Sequence, residues 1–421
     1  MKIRIKKNEI SLIIAFMTIL LWDLIEQNFP NFQFVILGLL LIYNIGRIKK
    51  YINGRFVLIF TIIFLHGTIN CILGNNRFTT FIIQFGSIIV SYLAFSCAID
   101  KCEYRKIFGY YWKTAFIMSI FGCLEIFFSM INASVATRIP LLFINTTFTS
   151  KVVGVFPRIA ALCNEPSFLG YFLAPAVFLI VYSFINKKSE YITFNGKKCF
   201  IQAICILTVY LMTFSTVSYM GLIFMFIFIW LDKGVSWQKI IIPILAVFCV
   251  LFLYIKVPDF KMRVDDTYNI FFQDNSDTGS INLSSYTYYA NFNVVDKSIR
   301  YTYGLGTGLG SYRYLFDMYN IGAWGNSGLN LNREDGNSMM FRVGAELGIF
   351  GILGICVFLF KYLPRDKEKK VFAYALLSLF FMIIMRMGNY THGGIWLYIV
   401  LYIKLFRECN NRKLAKNRKS G

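Results

Sequence analysis

The stretch RIAALCNEPSFLG, Arg158 to Gly170, sets an arginine, an asparagine and a glutamate just before an apolar run that reaches Ile185. A guanidinium is a planar fork that grips anionic oxygens two at a time, as an ammonium does not. Glu165 can orient Arg158, or accept the proton of an incoming hydroxyl. Pro166 suits the first turn of a helix, so Asn164 or Glu165 can equally cap that helix. A second arginine–carboxylate set lies in DGNSMMFRVGAELGIFG, Asp335 to Gly351. Arg342 and Glu346 stand four apart, so they can pair, or Arg342 can meet an anion while Glu346 holds it. Gly344, Gly348 and Gly351 recur at helical spacing and would allow close helix packing.

Between these sets runs YGLGTGLGS, Tyr303 to Ser311, with glycines at 304, 306, 308 and 310. It fails the dinucleotide pattern G-x-G-x-x-G, because position 309 is leucine and 311 is serine. Its backbone N–H groups, at Gly306 and Gly308 for example, can still approach an anion, with Arg300 and Arg313 flanking them. FSTVSYMGL, Phe214 to Leu222, offers hydroxyls better suited to satisfying backbone carbonyls than to catalysis.

The elements that must position these residues are membrane helices. Of 421 residues 57% are apolar and only 15% charged, against about a quarter charged in soluble domains. Apolar runs of about 20 residues, enough to cross roughly 30 Å of hydrocarbon, recur along the chain. The expectation is an all-α integral membrane protein of about twelve spans: 10–29, 31–46, 56–73, 79–99, 107–130, 167–185, 199–214, 217–231, 240–256, 338–360, 371–387 and 393–406. The alternating segments of a transmembrane barrel are absent. The first span has a basic start without a small-residue cleavage site and reads as retained.

With both termini in the cytoplasm, the inner connections hold most of the 43 basic residues, as the positive-inside rule asks. The chain then divides into five N-terminal spans (1–131), a first external loop (132–166), spans six to nine (167–256), a second external loop (257–337) and three spans with a basic tail (338–421). The second loop should carry short helices over the outer face. Asp23, Glu26, Glu125, Arg342, Glu346 and Arg386 all fall toward that face, which predicts a polar cavity there.

The net charge of +21 is spread over short loops, a topogenic signal rather than a nucleic-acid surface. Of ten cysteines only Cys163 falls in an external segment, so no disulfide framework is implied. The two histidines, His66 and His392, are far apart, and no ligand spacing for zinc is visible.

Taken in order, R-x6-E-P-S before the sixth span, the Ser/Thr turn after the seventh, the large loop with G-x-G-x-G, and N-x8-E-x-G-x-x-G resemble the bacterial O-antigen and capsule repeat-unit polymerases, the Wzy family, and the related O-antigen ligases. The likeness covers about 150 to 355. Where many ligase-like relatives read His-Asn, this chain reads Gly336-Asn337, which favours the polymerase side. The resemblance implies a metal-independent, cofactor-free glycosyltransferase in the bacterial cytoplasmic membrane. Its donor and acceptor would be undecaprenyl-pyrophosphate-linked glycans, with a chain-length regulator and a flippase as candidate partners. Arg158 and Arg342 would stabilise the departing pyrophosphate, with Arg300 and Arg313 as further candidates. Glu165 leads as proton acceptor, ahead of Asp335 and His392. Asn337 and Glu346 belong to the matched motif, and Tyr286, Tyr288, Tyr289 and Trp324 offer faces to sugar rings.

Overall fold

The computed structural model describes residues 7–131, 152–153, 156–194, 197–233, 244, 247–248, 251, 254–256, 258–272, 283–319 and 331–420. The span expected at 240–256, most of the first external loop and Trp324 lie outside these residues or largely so.

The chain is predominantly helical. Helix α1 (Lys7–Leu20) and α2 (Trp22–Asn28) are the two arms of a run bent by 65°, followed by α3 (Phe32–Tyr43), α4 (Gly54–Ile72), α5 (Phe78–Ile99) and α6 (Tyr104–Ile131). Then come α7 (Pro166–Ile185), α8 (Phe200–Leu211) and α9 (Thr216–Lys233). The region expected to form the second loop carries α10 (Pro258–Phe272), α11 (Leu283–Tyr301) and the short α12 (Tyr312–Tyr319). Helices α13 (Met339–Lys361), α14 (Lys367–Arg386) and α15 (Ile395–Ser420) complete the order. Two minimal antiparallel ladders pair Val152–Val153 with Phe156–Pro157 and Thr193–Phe194 with Lys197–Lys198.

Among the described residues five helices, α4, α5, α6, α7 and α13, are long and apolar enough to cross a membrane, and the bent α1–α2 run makes a sixth. The count of twelve is therefore met only in part. Helices α3 and α8 have 12 residues each, about 18 Å at 1.5 Å per residue, short of the hydrocarbon thickness.

Helix α7 lies at the centre, most of its side chains buried against α8, α9 and α14. Pro175 sits inside it and removes a helical N–H. The hydroxyl of Tyr111 on α6 enters the helix one residue further on, accepting from the Ala176 N–H (3.1 Å) and donating to the Phe172 carbonyl (2.7 Å). That single oxygen restores the link between two backbone groups that the local distortion separates.

Helix α13 departs from the expected continuous span. Gly348 takes φ 66° and ψ −157° and breaks it. The glycine-rich segment fills the break: Thr307 N–H donates to the Ala345 carbonyl (3.2 Å), Gly308 N–H to the Glu346 carbonyl (2.8 Å), and Ile349 N–H to the Gly304 carbonyl (2.9 Å). Gly304, Gly306, Gly308 and Gly310 all have φ between 81° and 92°, a region that side chains resist. A Cβ at Gly348 would collide with the Gly304 carbonyl, and one at Gly306 would press on Gly348 and Glu346 backbone. Gly304 and Gly306 are thus explained by docking against α13, Gly308 and Gly310 by close approach to α4, α5 and the turn between them, and Gly348 serves a break rather than a helix-packing face.

The polar ends of the bundle differ. At one end Glu9 meets Lys106, Asp100 meets Lys50, and Glu368 meets Arg105. These belong to the basic connections expected on a common side, and they converge. The other end gathers the residues of interest.

Candidate functional site

Two clusters meet at that end, joined by the turn between α14 and α15, residues 387–394. In the first, Arg342 is 7% exposed and all three of its nitrogens are engaged. Nε donates to Glu346 Oε1 (3.1 Å), Nη1 to the Gly388 carbonyl (3.1 Å) and Nη2 to Gln84 Oε1 (3.0 Å). The guanidinium stacks 4.6 Å from the centre of the Tyr390 ring. Glu346, fully buried, also accepts from the Tyr312 N–H (3.2 Å) and the Tyr390 hydroxyl (3.0 Å). This buried pair, hydrogen-bonded on both partners, ties α13 to α5, α12 and the turn.

The second cluster centres on His392, 7% exposed. Its Nε2 stands 3.2 Å from Asp23 Oδ1 and its Nδ1 3.7 Å from Glu26 Oε2, both on α2. The Phe168 ring, from the first turn of α7, lies 4.3 Å from the imidazole, centre to centre. Asp23 Oδ2 accepts the Asn164 N–H (2.9 Å), the indole N–H of Trp22 donates to Glu26 Oε2 (3.1 Å), and Gln27 reaches the Asn164 side chain. Burial opposes a charged imidazole here, but the two carboxylates outweigh it and raise the His392 pKa above its ordinary value.

Arg158 lies at the edge, partly exposed, its Nε donating to the Thr213 carbonyl (3.3 Å) in the turn between α8 and α9. The irregular segment it begins is pinned from both sides. Ile159 N–H donates to the Met212 carbonyl (3.1 Å). Glu125 Oε2 accepts the N–H groups of Ala160 (3.2 Å) and Ala161 (2.8 Å), the latter residue holding φ 53°. Glu165 occupies the residue before α7, yet neither it nor Asn164 caps the helix through its side chain; Glu165 Oε2 instead accepts from the Ser167 hydroxyl (2.9 Å). Ser167 and Glu165 therefore form a local pair beside the His392 cluster.

Asp335 and Asn337 lie in the turn entering α13. Asp335 Oδ1 accepts the Asn337 N–H (3.1 Å) and the Asn332 amide (3.3 Å), and the Asn337 side chain is met by Arg386. Gly388 packs so tightly on the Asp335 carbonyl that any Cβ would overlap it.

The other expected residues stand apart. Arg300 pairs with Asp296 (2.9 Å) and Arg313 with Glu334 (3.1 Å), both well exposed. The N–H of Gly306 donates to the Thr302 hydroxyl (2.9 Å) and that of Gly308 to Glu346, so neither amide cradles an anion. Tyr286 is buried beneath the second loop's own helices, while Tyr288 packs on Phe341 at 4.7 Å. Tyr289 sits edge-on to Phe271 at 5.3 Å.

Residue order hid two participants. Gln84 and Tyr390 carry no motif, and only their contacts with Arg342 and Glu346 mark them. Asp23 and Glu26 read in sequence only as members of the polar group at one face, because their partner His392 is remote along the chain.

No family model, no curated protein and no solved structure matches this chain.

Proposed function

We propose that this protein polymerises lipid-linked glycan repeat units, transferring a growing chain from its undecaprenyl pyrophosphate carrier to a sugar hydroxyl of an incoming unit. What carries the reading is the collection of Arg158, Glu165, Asp335, Arg386 and His392 at one end of a bundle of apolar helices, opposite the end where the basic connections meet. By the positive-inside rule that end faces away from the cytoplasm, where lipid-linked repeat units are joined.

In this reading Arg158 stabilises the charge that develops on the leaving pyrophosphate, in place of a metal ion. Arg158 is partly exposed, its Nε is held by the Thr213 carbonyl, and Glu125 fixes the backbone just beyond it at Ala160 and Ala161, so the group is pre-positioned. Glu165, also only partly buried, takes the proton of the acceptor hydroxyl. Arg342, walled in by protein acceptors, acts as a positioning residue that fixes the 387–394 turn. The ligase alternative shares this scaffold and differs in its acceptor.

The test is deletion of the gene in its own host, with surface polysaccharide run on a gel. A polymerase predicts glycans one repeat long, restored to a ladder by the wild-type gene but not by Arg158→Ala. Loss of all surface glycan would point to a ligase or a flippase, and an unchanged ladder would refute the proposal.

A further inference from the structure

The cluster of Asp23, Glu26 and His392 has a charge problem. Two carboxylates face one imidazole, and among the described residues neither carboxylate has a lysine or arginine within ion-pair reach. With both carboxylates ionised, even a protonated ring leaves the group with a net negative charge where Asp23 is 5% and His392 7% exposed. Such a charge is costly in a low-dielectric interior. Asp23 Oδ1 makes no hydrogen bond: it lies near His392 Nε2 but out of line with a ring N–H.

A second observation is independent of that pairing. A cavity of about 30 Å³ adjoins the cluster, lined by Asp23 and His392 together with Tyr171 and Tyr398. The hydroxyls of both tyrosines are buried and, among the described residues, find no hydrogen-bond partner. Three unsatisfied polar atoms on residues lining one small cavity call for a polar occupant, and the space is enough for at least one bound water.

We propose that Asp23, Glu26 and His392 bind one divalent transition ion, of the Zn²⁺ or Mn²⁺ kind, as a clasp between α2 and the 387–394 turn. The ligand atoms lie within 4.8 Å of one another. Two ligands bonded at roughly 2.0–2.2 Å can stand at most about 4.4 Å apart, so Asp23 Oδ1 and His392 Nε2, 3.2 Å apart, already suit one ion, while the half-exposed Glu26, now beside Nδ1, swings toward the Nε2 side to complete the set. A 2+ ion cancels the two carboxylate charges and leaves the imidazole neutral, as ligation requires. One nitrogen and two carboxylate donors suit Zn²⁺ or Mn²⁺ better than a soft ion, and the nitrogen disfavours Ca²⁺ and Mg²⁺. A metal-bound water in the adjoining cavity, lined by Tyr171 and Tyr398, would complete the shell. Asn164 N–H holds the outer oxygen of Asp23, and the Trp22 indole holds the Glu26 oxygen that faces His392, so both carboxylates are oriented by neighbours. The clasp thereby fixes the chain that enters α7 next to Glu165. It does not depend on the reaction proposed above.

The test uses full-length protein in detergent, purified through a tag without histidine, stripped with a chelator and titrated with ZnCl2, MnCl2, MgCl2 and CaCl2. Metal content and thermal unfolding are both read. About one Zn²⁺ or Mn²⁺ per chain is expected, with a rise in melting temperature that Mg²⁺ and Ca²⁺ do not reproduce. Glu26→Gln and His392→Gln should each weaken binding by more than about 100-fold, beyond the roughly 10–100-fold seen for outer-shell changes. Glu26→Gln is the milder variant and keeps the fold if His392→Gln does not. A stripped protein that takes up no Zn²⁺ or Mn²⁺, or wild-type affinity in a folded Glu26→Gln protein, overturns the proposal.

Discussion

Replacing Arg342 by methionine should destabilise the protein before it affects any chemistry. The substitution leaves Glu346, with no exposed surface, accepting only from Tyr312 N–H and Tyr390. Removing one partner of a buried ion pair costs about 3–5 kcal/mol. The Gly388 carbonyl and Gln84 also lose their donor, each at about 1–3 kcal/mol if water does not enter. These terms overlap, so the total should stay at about 4 kcal/mol, or a fall of about 4–5 °C in melting temperature for a chain of 421 residues. The double variant Arg342→Met, Glu346→Leu removes both charges and should recover much of the loss, because a buried pair is often replaceable by apolar side chains. The assay is the monodisperse fraction of detergent-solubilised protein after heating, followed by size-exclusion chromatography. Since unfolding from detergent is commonly irreversible, midpoints are compared at one heating rate. A melting temperature within about 1 °C of wild type in Arg342→Met would refute the positioning role and return Arg342 to the substrate; the same follows if the double variant falls as far as the two singles combined.

Gly348→Ala should yield little folded protein, since its φ of 66° and the Gly304 carbonyl both resist a side chain, whereas Gly354→Ala, with open space around it on the same helix, should be tolerated; recovery after size exclusion compares them. Tyr111→Phe deletes the hydroxyl that joins Ala176 and Phe172 beside Pro175, and should cost about 2–4 kcal/mol, read as a lower melting temperature. Asp100 is penalised by burial, but hydrogen bonds from Lys50 and Tyr51 hold its pKa below the ordinary 3.8. Its stabilisation is then fully present above that value and lost as pH falls through the lower folded-state pKa. Asp100→Asn should flatten the acid limb of the stability–pH curve while leaving the neutral limb parallel.

Composition and periodicity made much of the architecture legible, because hydrocarbon thickness dictates helix length and apolarity together. The helical class, the long spans and the helices of the second loop follow from that constraint. Two kinds of feature escaped. Breaks such as Gly348 depend on a partner segment more than thirty residues away, and no local pattern distinguishes a glycine that packs a helix from one that interrupts it. The alternate glycines at 304–310 likewise looked like an anion cradle, because their left-handed backbone serves either purpose; only the Ala345 and Glu346 carbonyls decide between them. Arg158 and Glu165 stand where residue types placed them, at a helix entry, but the expected cap is not made. His392 drew notice as one of two histidines, yet its carboxylate partners sit on the first, bent run of the chain, and only folding brings the ends together.

The central claim is tested most directly by supplying purified protein in lipid vesicles with a synthetic undecaprenyl-pyrophosphate-linked repeat unit. The account predicts a ladder of longer lipid-linked glycans, with one undecaprenyl pyrophosphate released for each joining step, and its absence with Arg158→Ala. Wild-type protein that leaves the unit one repeat long, or an Arg158→Ala protein that builds the full ladder, would contradict it.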